Sequence, residues 1–303
     1  FGGAENSGVV LPFNARRPLV VAAVSVEEQT RTQQAGASTS ASSSTLPKKG
    51  SSKFVIDENE NLKSTAEHRF WTFLPMGLMG ATLAQGIAGV HDLADGASVA
   101  AALFAAYALS DLGTAIYHWG VDNYGDGNTP LVGKQIAAFQ GHHQRPWTIT
   151  QREFCNNVHQ VFKPAAYPAG FFLLLSPWMS PAWNSFIGSF IFLVCMSQQF
   201  HAWSHMKKSQ LPGYIVALQE SGLLISRKMH GAHHLPPFEA NYSIVSGWWN
   251  PVLDKTGFFR ALENAVHKVT GVEPRCWYDL QEDWKEINYD GPAPVQYDST
   301  ASS

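Results

Sequence analysis

The sequence is poor in charged residues for its length and has no excess of basic ones. Of its 303 residues, 15% are charged and 45% are hydrophobic, and the formal net charge at pH 7 is −3. This balance gives no support for a nucleic-acid partner, which would require a strongly basic surface. The low charged fraction indicates that part of the folded chain does not face water.

Cysteine and the common cofactor-binding motifs are also scarce. The three cysteines, Cys155, Cys195 and Cys276, are far apart and form no CxxC pair, so neither a disulfide framework nor a thiolate metal site is supported. The sequence contains no GxGxxG fingerprint, no P-loop and no cysteine cluster for an iron–sulfur centre. A redox reaction of this protein would therefore need electrons from a separate carrier.

The N-terminal segment, residues 1–52, lacks the hydrophobic periodicity of a folded domain. It is dominated by Ser, Thr, Ala and Gln, with basic residues near its end, and such a composition buries too little apolar surface to offset chain entropy. We predict a disordered leader typical of an organellar transit peptide, with a plain disordered tail as the alternative. Residues 53–69 are predicted as a linker, and residues 291–303 as a disordered tail.

Four apolar stretches follow, at residues 70–90, 96–119, 164–177 and 183–199. About 20 helical residues are needed to cross a hydrocarbon core of about 30 Å, and the third stretch is short for this. We predict an all-α integral membrane protein with four transmembrane helices and a helical cap, in one domain at residues 70–290. A soluble protein with buried helices is the alternative.

The positions of the basic residues agree with four crossings. Between residues 70 and 206, lysine and arginine occur only between the second and third stretches, at Lys134, Arg145, Arg152 and Lys163. Loops on the cytoplasmic-equivalent side accumulate these residues, so both termini and the central loop are predicted to share one side. Residues 211–226 and 257–271 are amphipathic, and we expect helices that lie at the membrane interface or pack on the cap.

Eight histidines fall on this basic side with a spacing that suits ligands on helices. Residues three or four apart share one face of a helix. This relates His118 to Asp122, His201 to His205, and His230 to His233 and His234. His142 and His143 are placed in the central loop. The predicted metal ligands are His118, Asp122, His142, His143, His201, His205, His230, His233 and His234.

Eight neutral nitrogen ligands are too many for one ion, so two ions are predicted. Zinc structural sites favour four ligands and often include cysteine, whereas a histidine-rich set without thiolates suits iron. Asp111 precedes His118 by seven residues on the same helical face, and we predict that it orients a ligand imidazole. The alternative is that Asp111 packs against a hydroxyl or a backbone donor.

Four other histidines are kept outside the predicted metal set. His68, His91 and His267 are expected to be solvated, and His159 is left unassigned.

Four motifs together resemble a known family. These are "SDLGTAIYHWGVDNYG", "QGHHQRPWTIT", "HAWSHM" and "HGAHHLPPFEANYSIVSGWWNPVLD". Their order and spacing are similar to the membrane-bound lipid desaturases of the histidine-box type, in the branch of the plastid fatty acid desaturase 4 and plasmanylethanolamine desaturase (Kua-type) family. The leader and "GHHQRPWTIT" favour a plastid member.

The resemblance implies cofactors, partners and a location. It implies two iron ions, O2 as co-substrate, an external ferredoxin-like electron donor, and a chloroplast membrane, either thylakoid or inner envelope. The implied substrate is the palmitoyl chain of phosphatidylglycerol, with a trans double bond near the carboxyl end. Asp122 stands where many relatives have histidine, and Gln140 replaces an upstream histidine, so we place Gln140 around the ligands rather than among them.

Other functions stay open from the sequence alone. A lipid hydroxylase or a plasmanylethanolamine-type desaturase would use the same oxidant. A membrane metal transporter would place ligands along a path within the bilayer, and an inactive scaffold would tolerate loss of the histidines. The basic residues Lys207, Lys208, Arg227 and Lys228 could dock an acidic carrier or contact lipid headgroups.

Overall fold

The computed structural model describes residues 61–277. The predictions for residues 1–52 and 291–303, and for the first half of the linker, lie outside the described residues. Within residues 61–277 the secondary structure is helical and contains no strand, which confirms the all-α prediction. The α-helices of this range are α1 (Ala66–Ala88), α2 (Leu93–Asn123), α3 (Gly133–Gln144), α4 (Phe154–Leu175), α5 (Pro181–His205), α6 (Gly213–Glu220), α7 (Arg227–His233), α8 (Asn250–Thr256) and α9 (Phe258–Thr270).

Helix α5 lies at the centre of the four long helices. It packs against α1, α2 and α4, and α1 also packs against α4. Helices α1, α2 and α5 begin after Thr65, Asp92 and Ser180, whose side chains each accept a hydrogen bond from a backbone N–H of the first turn. Such N-caps satisfy donors that the helix itself leaves unpaired, so the start of each helix is fixed locally.

Two glycines let α1 and α5 approach closely. A Cβ atom on Gly188 would lie 2.8 Å from the Met79 carbonyl oxygen and 2.9 Å from the Leu83 backbone nitrogen. A Cβ atom on Gly86 would lie 2.7 Å from the Pro181 carbonyl oxygen. Non-bonded atoms normally stay about 3.5 to 4.0 Å apart, so a side chain at either position would separate the two helices.

Helix α4 begins earlier than the predicted start at residue 164. The polar residues before Pro164 are helical because their side chains have partners on neighbouring helices. The amide of Asn157 donates to the Gln199 side chain at 3.0 Å, and Lys163 pairs with Glu67 of α1 at 3.2 Å. Pro164 therefore lies inside the helix rather than at its start.

Helix α3 occupies the centre of the segment that was predicted as a loop. The prediction that His142 and His143 lie in a loop is wrong, because both are in the last turn of α3. Buried Ile136 and the Gln140 side chain fix this helix against the end of α2. Gln140 Nε2 donates to the carbonyl oxygens of Val121, at 3.1 Å, and Gly125, at 3.3 Å.

The two amphipathic stretches differ in how closely they follow the prediction. Helix α6 ends at Glu220, so it covers only part of residues 211–226. Helix α9 covers nearly all of residues 257–271, and Phe259 and Leu262 pack against Trp119 and Tyr242. Of the two alternatives given for α9, packing on the cap is therefore the one observed.

One helix of the described range, α2, is long and apolar enough to cross a membrane by length and composition. A single helix of this kind also occurs in the core of soluble proteins, so it does not establish membrane insertion. The four crossings expected from the sequence stay a prediction.

Gly188→Ala should lower the stability of the protein. The added Cβ meets backbone atoms of α1, which have no freedom to move aside, and overpacking of this kind costs about 1 to 3 kcal/mol. Thermal unfolding of the purified protein measures the change. Gly80→Ala on α1 is the matched control, because its Cβ would have no atom within 4 Å, and equal melting temperatures for the two variants would contradict the close approach.

Candidate metal centre

The nine predicted ligands lie together at one end of the long helices. They come from the last turns of α2, α3 and α5, and from α7 and the residue after it. The structure separates them into two groups, and within each group the potential ligand atoms lie within 4.8 Å of one another. The aspartate group is His118, Asp122, His143 and His233, and the histidine group is His142, His201, His205, His230 and His234.

Helical spacing explains how the residues are distributed between the groups. Each pair spaced four residues apart stays in one group, which holds for His118 with Asp122 and for His201 with His205. Consecutive histidines point in directions about 100° apart on a helix. The dipeptides at 142–143 and 233–234 therefore each give one ligand to each group.

The aspartate group brings three imidazole nitrogens to one carboxylate oxygen. Asp122 Oδ2 lies 3.3 Å from His118 Nε2, and 3.4 Å from both His143 Nε2 and His233 Nε2. Two ligands of one first-row metal, each about 2.1 Å from it at octahedral or tetrahedral angles, are about 3.0 to 3.4 Å apart. The observed separations match those of ligands that share one ion.

Two backbone carbonyls fix which nitrogen of these imidazoles faces the carboxylate. His118 Nδ1 lies 2.9 Å from the Tyr242 carbonyl oxygen, and His233 Nδ1 lies 2.7 Å from that of Ala240. A carbonyl only accepts, so each Nδ1 carries the proton, and in a neutral imidazole Nε2 is then a bare lone pair.

Bare nitrogen lone pairs and a carboxylate oxygen repel one another at these distances. Within the described residues, His118 Nε2 and both oxygens of Asp122 are buried without a hydrogen-bond partner. An unsatisfied buried polar group costs about 1 to 3 kcal/mol. A metal cation among these atoms would convert the repulsion into coordination, so the residues present fit a bound metal.

The histidine group contains five imidazoles and no carboxylate. His205 Nε2 lies 2.9 Å from both His142 Nε2 and His230 Nε2, and His230 Nε2 lies 3.1 Å from His234 Nε2. Neither ring nitrogen of His201, which is 2% exposed, has a hydrogen-bond partner within residues 61–277. These separations and the unpartnered nitrogens again fit coordination to one cation.

Burial keeps the imidazoles in the form that binds metals. Loss of contact with water, followed by repulsion between neighbouring imidazoles, lowers the pKa of His142, His143 and His230 well below the ordinary value. The same causes lower the pKa of His234 to about 2. A ligand imidazole must be neutral, so these side chains are already in the ligand state at physiological pH.

Asp111 has a different role from the one predicted. Its Oδ1 accepts hydrogen bonds from the backbone N–H groups of residues 245, 246 and 247 at 2.8 to 3.1 Å, and its Oδ2 accepts from that of Trp249 at 3.4 Å. The prediction that Asp111 orients a ligand imidazole is therefore corrected to the alternative of a backbone donor. Asp111 holds the loop between α7 and α8 against α2, and this loop includes Tyr242.

The residues that position the ligands include several that the sequence did not reveal. Every residue has a backbone carbonyl group, so no side-chain pattern in the sequence identifies those of Ala240 and Tyr242 as partners of the histidines. Gln140 contacts the carbonyl oxygens of Val121, in the last turn of α2, and of Gly125, and its role around the ligands stays a prediction.

The remaining histidines lie outside both groups. His159 stacks on His68 with ring centroids 3.9 Å apart, and its Nδ1 lies 2.9 Å from the Asn156 carbonyl oxygen. His91 is exposed, as predicted, whereas His68 and His267 are partly buried.

Comparison with known proteins gives one consistent family. Residues 107–277, which include both groups, match the model of the lipid desaturase domain. The chain is 45% identical over 222 residues to fatty acid desaturase 4, chloroplastic, of Arabidopsis thaliana, covering 73% of this chain and 68% of the relative. It is 42% identical over 233 residues to fatty acid desaturase 4-like 1, chloroplastic, of the same plant, covering 76% and 77%.

A more distant relative comes from an animal. Plasmanylethanolamine desaturase 1 of Mus musculus is 32% identical over 177 residues, covering 55% of this chain and 65% of the relative. No solved structure gives a significant match.

Loss of one ligand should remove metal from its own group. We expect about two metal ions per chain in the intact protein, and about one after His201→Ala or Asp122→Ala, because each change opens one group. Mass spectrometry of the metal content of purified protein measures this. His159→Ala, a partly buried histidine outside both groups, should keep the full content, and unchanged content in His201→Ala and Asp122→Ala would remove these residues from the ligand set.

Proposed function

Since the chain belongs to the lipid desaturase family, we propose that it is a di-iron, O2-dependent desaturase that inserts a double bond into an acyl chain of a membrane glycerolipid. Its relatives are named as desaturases, which are oxidoreductases. The observation that carries the proposal is the clustering of nine potential metal ligands in two neighbouring groups, seven of them buried and two, His205 and His234, partly buried. Two groups of this kind suit a pair of metal ions.

Iron is the metal that the ligands favour. Neither group contains a cysteine, and Cys155, Cys195 and Cys276 are free and buried elsewhere. A ligand set of imidazoles and one carboxylate suits iron, whereas structural zinc sites favour four ligands and often use thiolates. When bound, two iron ions would supply the O2-dependent oxidation that removes two hydrogens from an unactivated CH2–CH2 unit.

The protein's own residues would contribute ligation, tautomer control and exclusion of water. The Tyr242 and Ala240 carbonyls hold the Nδ1 protons of His118 and His233, so both Nε2 lone pairs face Asp122. Asp111 keeps the loop that carries these carbonyls on α2, the helix that also carries His118. Burial of the imidazoles also excludes water that would otherwise compete for the metal.

The electrons would come from an external ferredoxin-like carrier. The basic residues proposed for docking are partly engaged within the protein: Lys208 pairs with Glu220, and Arg227 donates to the His205 carbonyl at 3.2 Å. Arg227 therefore also holds the end of α5 beside the histidine group. Lys228 is exposed, and it leaves a positive charge for contact with an acidic carrier or a lipid headgroup.

Four membrane crossings by α1, α2, α4 and α5 are part of the proposal. Large apolar side chains on these helices are more than half exposed, including Phe73, Phe104, Phe171 and Trp183. Exposed apolar surface of this extent is stable against lipid but not against water. The distribution of lysine and arginine independently supports the same topology.

The length of α2 sets the depth at which Asp111 would lie in the bilayer. Its 31 residues extend about 46 Å at 1.5 Å per residue, whereas the hydrocarbon core is about 30 Å thick. The C-terminal third of α2 would therefore project beyond the hydrocarbon. Asp111 would lie at that boundary, covered by residues 245–249.

The plastid relatives set the proposed substrate and location. By resemblance, the substrate is the palmitoyl chain of phosphatidylglycerol, the product has a trans double bond near the carboxyl end, and the protein lies in a chloroplast membrane. The chloroplastic relatives are the more similar ones, at 45% and 42% identity against 32% for the animal protein.

Expression in a plastid that lacks this activity should produce a new unsaturated acyl chain. Double-bond mapping of each lipid class by mass spectrometry identifies the chain, its headgroup and the bond position, and we expect the product in phosphatidylglycerol. His230→Ala, His233→Ala and His234→Ala should each reduce the product to background, since each removes a ligand, whereas His159→Ala should retain it.

Three other outcomes would redirect the assignment. A vinyl ether product would indicate the plasmanylethanolamine-type reaction, and a hydroxylated chain would indicate a hydroxylase. Absence of any new unsaturated or hydroxylated chain, with the protein present and iron bound, would contradict the enzyme assignment.

Lys134 and Lys228 should be accessible from the same side of the membrane. Both follow an even number of the proposed crossings, so a membrane-impermeant amine reagent should label both or neither in sealed vesicles. Peptide mass spectrometry before and after permeabilisation measures the labelling. Labelling of only one of the two in sealed vesicles would rule out four crossings.

A further inference from the structure

One buried carboxylate joins two tryptophans beside the aspartate group. Glu263 of α9 is 1% exposed. Its Oε1 accepts a hydrogen bond from Trp119 Nε1 at 3.3 Å, and its Oε2 accepts one from Trp277 Nε1 at 2.8 Å. The Cys276 thiol also donates to Oε1, and Arg260 Nη1 lies 3.1 Å from Oε2.

This unit connects the aspartate group with the surface. Trp119 directly follows His118 in α2 and is 7% exposed. Trp277 is partly exposed, and the guanidinium of Arg260 lies over its ring at 5.8 Å from the centroid. An indole next to a ligand histidine is therefore linked by one carboxylate to an indole that reaches solvent.

Indole becomes a much better electron donor when a base can take its N–H proton as the electron leaves. Glu263 is such a base, and it is hydrogen-bonded to both indoles. Tyr242 offers a contrast, although its ring lies only 5.1 Å from that of His233. Its hydroxyl donates to the Phe238 carbonyl oxygen at 2.6 Å, and a carbonyl is too weak a base to take the proton.

We propose that Trp119, Glu263 and Trp277 form a relay that would carry an oxidising equivalent away from the aspartate group if O2 were reduced there in the absence of lipid substrate. The proposal rests on the proposed function, because dioxygen is the oxidant that it requires. The relay would protect the ligand imidazoles from oxidation, because the oxidising equivalent would move to Trp277 near the surface instead of remaining beside them.

Each step moves one electron, and the indole protons move to and from Glu263. Trp119 gives an electron to the O2-derived oxidant, its Nε1–H bond breaks, and the proton moves to Glu263 Oε1. Trp277 then gives an electron to Trp119 and its Nε1 proton to Oε2, while the proton on Oε1 returns to Trp119. A one-electron reductant in solution, such as ascorbate, finally reduces Trp277, and the proton on Oε2 returns to its indole.

The test exposes the full-length, iron-loaded protein to O2 in the absence of lipid substrate. The iron is first reduced with dithionite, which is then removed. Samples frozen at increasing times are examined by electron paramagnetic resonance, and protein containing indole-deuterated tryptophan identifies a tryptophan radical by its changed hyperfine pattern. Peptide mass spectrometry after repeated cycles measures oxidised products at position 277.

The relay predicts a tryptophan radical and oxidised Trp277 in the unaltered protein. Trp119→Phe should abolish the oxidation of Trp277. Glu263→Gln should do the same while preserving the iron content, since an amide of the same shape can accept a hydrogen bond but not the proton. Trp178→Phe is the control, because Trp178 is 81% exposed near the opposite end of α5 and should leave both signals unchanged.

Two results would overturn the relay while leaving the desaturase proposal intact. One is bound iron and lipid product in the unaltered protein without a tryptophan radical or oxidised Trp277. The other is oxidation of Trp277 that persists in both Trp119→Phe and Glu263→Gln. Absence of bound iron or of product from the unaltered protein would instead overturn the proposed function, and the relay with it.

Discussion

The structure depends on how buried electron pairs are compensated. Nitrogen lone pairs of neutral imidazoles and the oxygens of Asp122 are concentrated at the end of the long helices, several without a hydrogen to share. Packing alone would not hold them together, because each uncompensated atom opposes burial. A metal cation among them, as proposed, would stabilise the arrangement, and its binding would then be coupled to the folding of this end of the protein.

Residues progressively further from the two ligand groups hold these buried side chains in position. Backbone carbonyls of the loop after α7 fix the proton positions of His118 and His233. Asp111 holds that loop on α2, and α2 in turn packs along α5, which carries His201. Gly188 lets α5 approach α1 closely, so the ligands project from a closely packed group of helices rather than from mobile loops.

Helical periodicity in the sequence made part of the arrangement of the ligand residues predictable. The pairs four residues apart were assigned to shared faces correctly, because the geometry of one helical turn does not depend on the rest of the chain. Helical spacing makes the two histidines of each His-His dipeptide diverge, but which group each of them joins depends on where α3 and α7 dock, which is a long-range property. The same limit applies to Asp111: its face on α2 was inferred from spacing, but the partner on that face is a loop more than 130 residues away. The helical start of α4 was missed because its polar residues find their partners on α1 and α5.

On the proposed topology, the length of α2 sets how far the candidate metal centre would lie from the hydrocarbon core, and this distance bears on which acyl carbons could reach it. His118 is the twenty-sixth residue of α2, about 38 Å from its start and so about 8 Å beyond a hydrocarbon core of about 30 Å that begins there. Carbons near the glycerol backbone of a lipid can rise to this level with little disturbance of the bilayer. Carbons in the middle of the chain would have to be drawn further out of the hydrocarbon, at a cost of about 0.8 kcal/mol for each CH2 exposed. On the proposed topology, the length of α2 thus holds the site at a distance from the hydrocarbon core that favours oxidation of carbons close to the ester group.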